Sequence, residues 1–390
     1  MVIDLQLLYL LFRISFFVIF VGVHIALMLG TFLEWQRDNR TARNNSPEKP
    51  AGSFRVSIVI PVCNESGRMG GLLNSLRALK HEQAELIFVD DRSRDESAAM
   101  IKRFIDEADF GGEIKIITLT ENPGPNYKQF ALARGVSAAS GEFLFFTDAD
   151  CEVPPTWIEG MVKRFYDERV GAAIGPVLKR SGGKGFFHLY QCFEHAARYL
   201  YLVGATGLGA AGGGFGNNLV LRKSCLDAIG GYDNVPPSPT EDAALISKIR
   251  AGTKFKIRAA VGEDVHVITQ GEADWKNLIT QTLRWNNGGL FCPDPITRLN
   301  YNFLMIIIGM GILAIPFLPF VPSLWPLSIS VLTGMIFNTV AILSLFGVSL
   351  PRRSFCFGYL LTLLFTPVYF TFLTIMGYLG IKAEWKGKKV

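Results

Sequence analysis

The sequence predicts an α/β domain with a mainly parallel sheet, helices on both faces of that sheet, and transmembrane helices flanking the domain in the chain. Between residues 54 and 274, short β-branched runs alternate with helical patterns, as in parallel sheets. On both sides of this region lie apolar runs of ~20 residues or more, long enough to cross a ~30 Å hydrocarbon core. The chain of 390 residues is 49% hydrophobic, with a mean hydropathy of +0.27.

The composition excludes several classes of protein. Only 19% of the residues are charged, and this composition excludes disordered, collagen-like and disulfide-stapled secreted chains. A net charge of +5 is too small to indicate nucleic-acid binding, so no nucleic-acid partner is expected. The six cysteines include no Cys-x-x-Cys pair, which favours reduced thiols in the cytosol over a zinc site.

The first element is an apolar run from Leu7 to Gly30, which predicts an N-terminal transmembrane helix over residues 1–31. A signal peptide is the less favoured alternative, because the apolar part is too long and no clear cleavage site follows. Residues 32–53 are expected to form a linker, since the stretch from Thr41 to Gly52 is polar and contains two prolines. Basic residues after the run place the N-terminus outside and the next domain in the cytoplasm. They are Arg37, Arg40, Arg43 and Lys49.

Residues 54–274 are predicted to form the cytoplasmic domain. Its first strands are expected at Val56–Pro61, Glu85–Val89, Ile114–Leu119 and Phe143–Thr147. The helical patterns between them cover Leu72–Leu79, Glu96–Glu107 and Tyr127–Ala139. Ligands of such sheets bind beyond the carboxyl ends of the strands, so the residues at those ends are the first candidates for a site.

Acidic residues follow the second and the fourth of these strands. Asp90 and Asp91 end the second strand, and Asp148 and Asp150 follow the fourth at positions i and i+2. Such a pair can coordinate Mg²⁺ or Mn²⁺, which prefer oxygen ligands and bridge to substrate phosphates. Alternatively the two aspartates only cap a turn. Their position beside Asp90 and Asp91 favours the metal site.

Residues 204–216 contain seven glycines, including a literal Gly-x-Gly-x-x-Gly from Gly207 to Gly212. A dinucleotide fingerprint would follow the first strand and open a helix, whereas this segment follows the aromatic helical pattern Phe186–Val203. We therefore expect a flexible or closely packed loop beside a substrate. The aromatic pattern could form an acceptor entrance or part of the core.

Thr240-Glu241-Asp242 opens a further predicted helix. Thr240 could cap the helix while the two carboxylates complement its N-terminus, which would be a purely structural role. The functional interpretation makes Asp242 a general base at the edge of a pocket.

Gln281, Arg284 and Trp285 share one face of a helical pattern, at positions i, i+3 and i+4. Arg284 could bind a diphosphate, and Trp285 could stack on an acceptor. Residues 275–300 could also form an amphipathic helix at the membrane surface, and both interpretations can hold together.

The C-terminal region, residues 301–381, holds the apolar stretches Phe303–Val321, Leu324–Leu350 and Phe355–Ile381. A basic tail over residues 382–390 follows, and Arg352 and Arg353 separate the last two stretches. Three full spans would place the tail outside, against the positive-inside rule. We therefore expect two full spans and one re-entrant or broken stretch, interrupted at Pro316–Pro322 or at Pro367.

Taken together and in this order, the motifs resemble those of membrane-bound family-2 glycosyltransferases, which include ceramide glucosyltransferase, chitin oligosaccharide synthases and cellulose synthase. Pro61-Val-Cys-Asn64-Glu65 is similar to the family's opening Pro-x-x-Asn-Glu stretch, and Gly230–Asp233 is similar to its Gly-Gly-Phe-Asp segment. The resemblance covers residues 54–290 and implies a GT-A nucleotide-diphospho-sugar transferase fold. It also implies a nucleotide-sugar donor, most simply a UDP-sugar, and a divalent cation, Mg²⁺ or Mn²⁺.

Roles for individual residues are implied by the same resemblance. Asp242 would be the catalytic base, and Asp148 and Asp150 would hold the metal. The residues that would bind the donor and its nucleotide are Pro61, Asn64, Glu65, Asp90, Asp91, Lys128, Asp148 and Asp150, with Asp91 or Asp90 as alternatives near the base. The residues that would bind diphosphate and acceptor are Glu241, Gln281, Arg284 and Trp285.

The expected function is inverting transfer of a sugar to a hydroxyl of a membrane lipid, at the cytoplasmic leaflet of what we expect to be a bacterial inner membrane. A processive polysaccharide synthase is the first alternative, although three or four spans are few for a polymer channel. A non-catalytic membrane scaffold is the second, and the complete set of acidic residues argues against it.

Overall fold

The computed structural model describes residues 5–43, 54–79, 81, 83–107, 110–124, 126–180, 182–183, 185–346, 355–382, 384–385 and 388–389. Residues 44–53 of the expected linker and part of the basic tail lie outside these residues. So do Lys49, Arg352, Arg353 and Lys386.

A seven-stranded sheet forms the centre of the domain between the apolar helices, in the order β3-β2-β1-β4-β8-β6-β9. β1 to β4 are parallel, whereas β8 runs antiparallel to both β4 and β6. The predicted mainly parallel sheet is therefore confirmed. The seven strands are β1 Val56–Val62, β2 Ala84–Asp91, β3 Glu113–Leu119, β4 Phe143–Phe146, β6 Val170–Ile174, β8 Leu219–Arg222 and β9 Lys256–Ala259. A second sheet, in the order β5-β10-β7, comprises β5 Cys151–Glu152, β7 Val177–Arg180 and β10 Val267–Gln270.

Helices cover both faces of the central sheet because its strands are apolar on both sides. In β1, Ile58 and Ile60 belong to one core and Val59 to the other, as the two-residue period of a strand requires. The first core lies under α2 and α3, and the second lies under α4 and α6. The helices of the domain are α2 Gly70–Arg77, α3 Ser97–Glu107, α4 Tyr127–Ser137, α5 Trp157–Lys163, α6 Phe186–Gly207, α7 Lys223–Ala228 and α8 Glu241–Gly252.

The N-terminal helix is longer than expected. α1 spans Leu5–Arg43, so residues 32–43, expected to be linker, are helical. The physical reason lies in two buried carboxylates near the C-terminal end of the helix. Asp38 forms a bidentate pair with Arg164 at 2.7 and 2.8 Å and accepts the backbone N–H of Val261 at 3.0 Å. Glu34 accepts hydrogen bonds from Arg258 Nε at 2.9 Å and from the backbone of Ala259 at 3.2 Å.

Glycines bring α1 and α6 into backbone contact. A Cβ on Gly204 would lie 2.6 Å from the carbonyl oxygen of Leu27, and one on Gly207 would lie 1.9 Å from that of Gly30. Only glycine permits this approach. Gly207, the first residue of the Gly-x-Gly-x-x-Gly segment, therefore ends α6 and packs a helix pair, whereas a loop beside a substrate was expected at residues 204–207.

Within the described residues, four helices are long and apolar enough to cross a membrane: Leu5–Thr41, Pro295–Phe317, Pro322–Leu345 and Leu360–Tyr378. The last three correspond to α10 Pro295–Ala314, α11 Trp325–Phe346 and α12 Phe355–Tyr378. The expectation that one of the three C-terminal stretches is re-entrant or broken stays a prediction, since these helices qualify as spans by length and composition. Pro316 and Pro322 lie in 3-10 turns between α10 and α11, where no helical hydrogen bond is lost, and Pro367 lies inside α12 without ending it.

The segment 275–300 also differs from expectation, because it is not one helix. α9 spans Trp275–Leu290, and α10 begins at Pro295. The Asp294 carboxylate accepts the backbone N–H of Thr297 at 2.7 Å and pairs with Arg250 at 2.6 Å, which ties the start of α10 to α8. α9 packs against α12 and α10, with Trp275 at its start in an aromatic cluster with Tyr190 and Phe365.

The buried pair between Asp38 and Arg164 generates a stability prediction. Substitution Arg164→Ala leaves an uncompensated buried carboxylate, and we expect it to cost about 3–5 kcal/mol in the free energy of unfolding. Thermal unfolding of the detergent-solubilised protein measures the effect. Arg169→Ala, which breaks an exposed pair with Asp167, is the control and should barely change stability. Equal midpoints for the two variants would contradict the anchoring role of Asp38.

Candidate active site

A cavity of about 1270 Å³ lies where the carboxyl ends of β1, β2 and β4 meet the N-terminal end of α8 and the face of α9. Ligand pockets commonly measure ~300–1,000 Å³, so this cavity has room for more than one small ligand. All the predicted site residues except Asp90 line it. They are Pro61, Asn64, Glu65, Asp91, Lys128, Asp148, Asp150, Glu241, Asp242, Gln281, Arg284 and Trp285.

Asp90 does not line the cavity, although the sequence offered it as an alternative to Asp91. Its carboxylate is buried and accepts the backbone N–H of Ser93 at 3.1 Å, so it shapes the turn after β2. Asp91 does line the cavity, and it accepts hydrogen bonds from Asn122 Nδ2 at 2.9 Å and Arg92 Nε at 2.8 Å. The two residues alternate across the strand, which sends only one of them to the cavity.

Two loops at this end of the cavity are tied together through Asn64. Its backbone N–H donates to Ser93 Oγ at 3.1 Å, and its Oδ1 accepts the N–H of Arg94 at 2.8 Å. Asn64 and Arg92 both adopt positive φ, 55° and 58°. Asparagine tolerates this conformation, but arginine rarely adopts it, so the turn holds Arg92 in a strained position. The guanidinium of Arg92 stacks on Tyr127 at 4.6 Å, at the cavity wall.

Both carboxylates of the Asp-x-Asp motif are balanced by cations. Lys128 Nζ lies 2.7 Å from Asp148 and 3.3 Å from Glu241, and Arg68 pairs with Asp150. Burial lowers the pKa of Lys128, but the charges of Asp148 and Glu241 outweigh this and raise it above its ordinary value. Lys128 therefore remains a cation between the two motifs.

Asp242 differs from these carboxylates in its surroundings. Within the described residues its hydrogen bonds come from backbone amides, Gly216 N at 2.8 Å and Ala243 N at 2.7 Å. Burial, together with the neighbouring charge of Glu241, raises the pKa of Asp242 to about 6, against the opposing effect of Lys128. Such a carboxyl group exchanges a proton near neutral pH, as a general base requires.

Thr240 occupies the N-cap position of α8, and Glu241 and Asp242 fall in the first turn, as predicted. The Thr240 side chain makes no capping hydrogen bond, however. Its hydroxyl lies 3.4 Å from that of Ser238, and its backbone N–H donates to Ser238 Oγ at 3.2 Å. The structural interpretation is therefore confirmed for the two carboxylates in the first turn, but not for capping by the Thr240 side chain.

The three predicted residues of α9 face the cavity together. Gln281 Oε1 accepts a hydrogen bond from Lys179 Nζ at 2.7 Å, and Gln281 Nε2 donates to Glu272 at 2.6 Å. Arg284 donates to the carbonyl of Pro239 at 2.7 Å, which directs its guanidinium towards the Thr240–Asp242 turn. Trp285 lies beneath two cations, Arg198 at 5.3 Å and Lys179 at 5.6 Å from the ring centroid.

The aromatic stretch of α6 divides between the two roles that the sequence left open. Tyr190 and Tyr199 are fully buried, and the hydroxyl of Tyr199 donates to the carbonyls of Ile174 and Ala260. Phe193 and Tyr201 line the cavity. The glycines from Gly212 to Gly216 also line it, so this loop presents backbone to a ligand.

The polar or charged residues of the site that were not found from the sequence include four that contact predicted residues. Arg68 and Lys179 pair with predicted residues, and His195 and Arg198 approach Trp285. None belongs to a recognisable motif, because each reaches the cavity from an element distant in sequence. A weak signal was available for α6, where His195 and Arg198 interrupt an otherwise apolar helix.

The cavity continues beyond the domain into the apolar helices. α1, α10, α11 and α12 each contribute one stripe of residues at helical spacing, such as Leu27, Met28 and Thr31 on α1. The apolar residues of this membrane half are Leu27, Met28, Leu304, Met305, Ile308, Met335, Ala341 and Phe370.

Comparison with known families identifies the class of the domain. Residues 57–230 match the family described as "Glycosyl transferase family 2". This match agrees with the family that the motifs resemble. In the part of the chain that the structure describes, the matched region lies between helices long and apolar enough to cross a membrane.

Individual relatives agree with this class. The chain is similar to the poly-beta-1,6-N-acetyl-D-glucosamine synthase of Staphylococcus aureus, with 26% identity over 266 residues, or 66% of this chain and 60% of that protein. It is also similar to the probable glycosyltransferase YdaM of Bacillus subtilis, with 27% identity over 301 residues, or 72% and 66% of the two chains. The chain thus spans less than two thirds of the length of these relatives.

A solved structure confirms the GT-A fold. The mannosyltransferase PcManGT from Pyrobaculum calidifontis, in complex with GDP-Man and Mn²⁺, superimposes with a TM-score of 0.54 at 16% identity. The similarity covers 94% of this chain and 99% of that one. At this identity the similarity concerns the fold alone.

Proposed function

We propose that this protein transfers a sugar, with inversion, from a nucleotide-diphospho-sugar to a hydroxyl group of a membrane lipid. The observation that carries the proposal is the single cavity that joins Asp242 to the apolar faces of the membrane-type helices. An acceptor that partitions into the bilayer could present its hydroxyl to Asp242 without leaving the protein.

The donor half of the cavity suits a nucleotide diphosphate. Arg284 supplies a guanidinium, and Lys128 a second cation, beside the carboxylates that face the sheet edge. These cations would neutralise the charge that builds on the leaving diphosphate. We favour a UDP-sugar as the donor. The structure of the P. calidifontis mannosyltransferase contains GDP-Man, so a GDP-sugar is the alternative donor.

A hydroxyl acceptor follows from the chemistry of Asp242. A lipid phosphate would attack as an anion and needs no base, and the carboxylates of Asp242 and Glu241 would repel it. An alcohol must lose its proton as it attacks, and Asp242 would take that proton. The new glycosidic bond forms on the face of the anomeric carbon opposite the leaving diphosphate, so one displacement inverts that carbon.

A processive polysaccharide synthase is the second candidate, favoured by the similarity to the S. aureus synthase. The membrane half of the cavity argues against it, because methionine, leucine and isoleucine side chains offer a glycan few hydrogen bonds. The complete acidic set, with balanced charges and a base near pKa 6, also argues against a non-catalytic scaffold.

The membrane orientation is part of the same proposal. The basic residues at the end of α1 include Arg37, Arg40 and Arg43. The positive-inside rule then places the transferase domain in the cytoplasm, with the active site at the inner leaflet of a bacterial inner membrane.

A divalent cation fits the donor set of the cavity. Among the described residues no cluster of three or more His, Cys, Asp or Glu side chains could hold a metal, so the protein supplies at most the carboxylates of Asp148 and Asp150. Mg²⁺ and Mn²⁺ commonly bind through one or two carboxylates, with water and substrate phosphates completing the shell. When bound, the ion would supply positive charge to the diphosphate. Arg68 would have to release Asp150.

Removal of one ligand tests the metal assignment. We expect Asp150→Ala to abolish the Mn²⁺-dependent part of donor affinity, measured by UDP-sugar titration with and without Mn²⁺. Arg68→Gln is the matched variant, and it should retain or strengthen the Mn²⁺ dependence because Asp150 loses its competing cation. Unchanged Mn²⁺ dependence in Asp150→Ala would refute the assignment.

The electrostatics of Asp242 predict a pH profile. The deprotonated base is the active form, so the transfer rate should rise with pH through about 6 and then level off. Lys128→Gln removes a charge that lowers the pKa of Asp242, so the profile should move to higher pH. Glu241→Gln removes a charge that raises it, so the profile should move to lower pH. The midpoint of the pH profile is the readout, since both residues also affect the absolute rate. Midpoint shifts in the same direction for the two variants would exclude Asp242 as the titrating base.

Product analysis tests the reaction itself. Membranes containing the protein are incubated with labelled UDP- and GDP-sugars, and label is followed into the organic phase. We expect a single glycolipid band that disappears in Asp242→Asn, while donor binding survives in that variant. A ladder of oligomers would identify the processive alternative, and near-normal turnover in Asp242→Asn would show that the base is another group.

A further inference from the structure

Asn338 places an amide group in the membrane half of the cavity. It lies on α11, inside the candidate membrane span Pro322–Leu345, and shares one helix stripe with Met335 and Ala341. Its side chain is half-buried and has no hydrogen-bond partner among the described residues. An amide without a partner is costly in an apolar environment, and polar groups inside membrane helices commonly mark ligand sites.

The other polar side chains of this half are already accounted for. Thr31 donates to the carbonyl of Leu27 at 2.9 Å, and Thr366 donates to that of Thr362 at 2.6 Å, so both hydroxyls are satisfied by their own helices. His24 is buried and packs over Gly334, where a Cβ would lie 2.3 Å from its Nε2. Asn338 therefore lines this half of the cavity with a side-chain amide that has no hydrogen-bond partner among the described residues.

The residues around Asn338 indicate a hydrocarbon ligand. Met335 and Ala341 flank it on α11, and Met28 and Ile308 line the same half from α1 and α10. Methionine side chains adapt to irregular apolar shapes, which suits a flexible chain. An occupant of this half must therefore combine apolar bulk with one group that hydrogen-bonds an amide.

We propose that the membrane half of the cavity binds the backbone and upper chain of the acceptor lipid, with Asn338 hydrogen-bonded to an amide or ester group below the reacting hydroxyl. This inference rests on the proposed function and narrows its substrate class. Ceramides and diacylglycerols carry such a group close to a free hydroxyl. Polyisoprenols and simple long-chain alcohols do not carry one, so they would leave the amide of Asn338 unpaired.

Acceptor selectivity in mixed micelles tests the proposal. The probes are a short-chain ceramide, a short-chain diacylglycerol and a long-chain alcohol with no second polar group, each with the full-length protein. We expect the wild type to glycosylate the ceramide or the diacylglycerol in preference to the alcohol. Asn338→Leu, which keeps a similar volume, should raise the KM for the preferred lipid roughly three- to tenfold, the factor that one hydrogen bond provides. It should leave the rate with the alcohol unchanged.

Two controls separate a binding role from a structural one. Thr333→Val removes a polar group from α11, where the hydroxyl bonds only to the carbonyl of Ile329, and it should not alter selectivity. Ala341→Phe fills the cavity beside Asn338 and should raise the KM of all three lipids.

The outcomes distinguish the two proposals. If Asn338→Leu lowers activity with the alcohol and the ceramide equally, or if the wild type shows no preference, the assignment of Asn338 is wrong while lipid glycosylation stands. If the wild type hydrolyses donor but glycosylates none of the lipids, the lipid-acceptor function fails and this inference fails with it. The ratio of ceramide to diacylglycerol turnover decides between the amide and the ester.

Discussion

The buried carboxylates of α1 are the interaction on which the rest of the structure depends. Asp38 and Glu34 lie near the C-terminal end of the candidate span Leu5–Thr41, where they bind Arg164, Arg258 and backbone amides at the end of β9 and just after it. A shift of α1 relative to the domain would leave these buried carboxylates without their donors, and an unpaired buried charge is strongly destabilising. The edge of the sheet is thereby fixed to the end of a membrane helix.

The glycine contact between α1 and α6 extends this attachment. Gly30, Gly204 and Gly207 allow two helix backbones to meet, so α6 follows α1 from the domain towards the membrane. α6 then contributes Phe193 and Tyr201 to the cavity wall. This rigid connection keeps the polar and apolar halves of the cavity continuous. A flexible linker would not fix the position of the domain relative to the membrane-type helices.

Charge balance organises the polar half. Lys128 joins the Asp-x-Asp motif to the turn that carries Asp242, and Arg68 holds the other aspartate. Asp242 is set apart because burial and the neighbouring charge of Glu241 raise its pKa, even though its hydrogen bonds from backbone amides oppose that shift.

The local patterns of the sequence determined the elements of this protein. Short β-branched or apolar runs defined β1 to β4, strand-end aspartates defined the sheet edge of the site, and long apolar runs defined the membrane-type helices. Residues predicted from motifs reached the cavity because each motif is short and sits at the end of one element. The choice between Asp90 and Asp91 stayed open, since it depends on which face of β2 meets the cavity.

Only the tertiary structure decided the features that join distant parts of the chain. The helical course of residues 32–43 depends on partners at Arg164 and Arg258, more than a hundred residues away. The pairing of Arg68 with Asp150, the approach of Lys179 to Gln281, and the face of α11 that carries Asn338 have no local signature. Each of these features depends on how elements distant in sequence pack against one another, and the sequence of one element alone does not specify that packing.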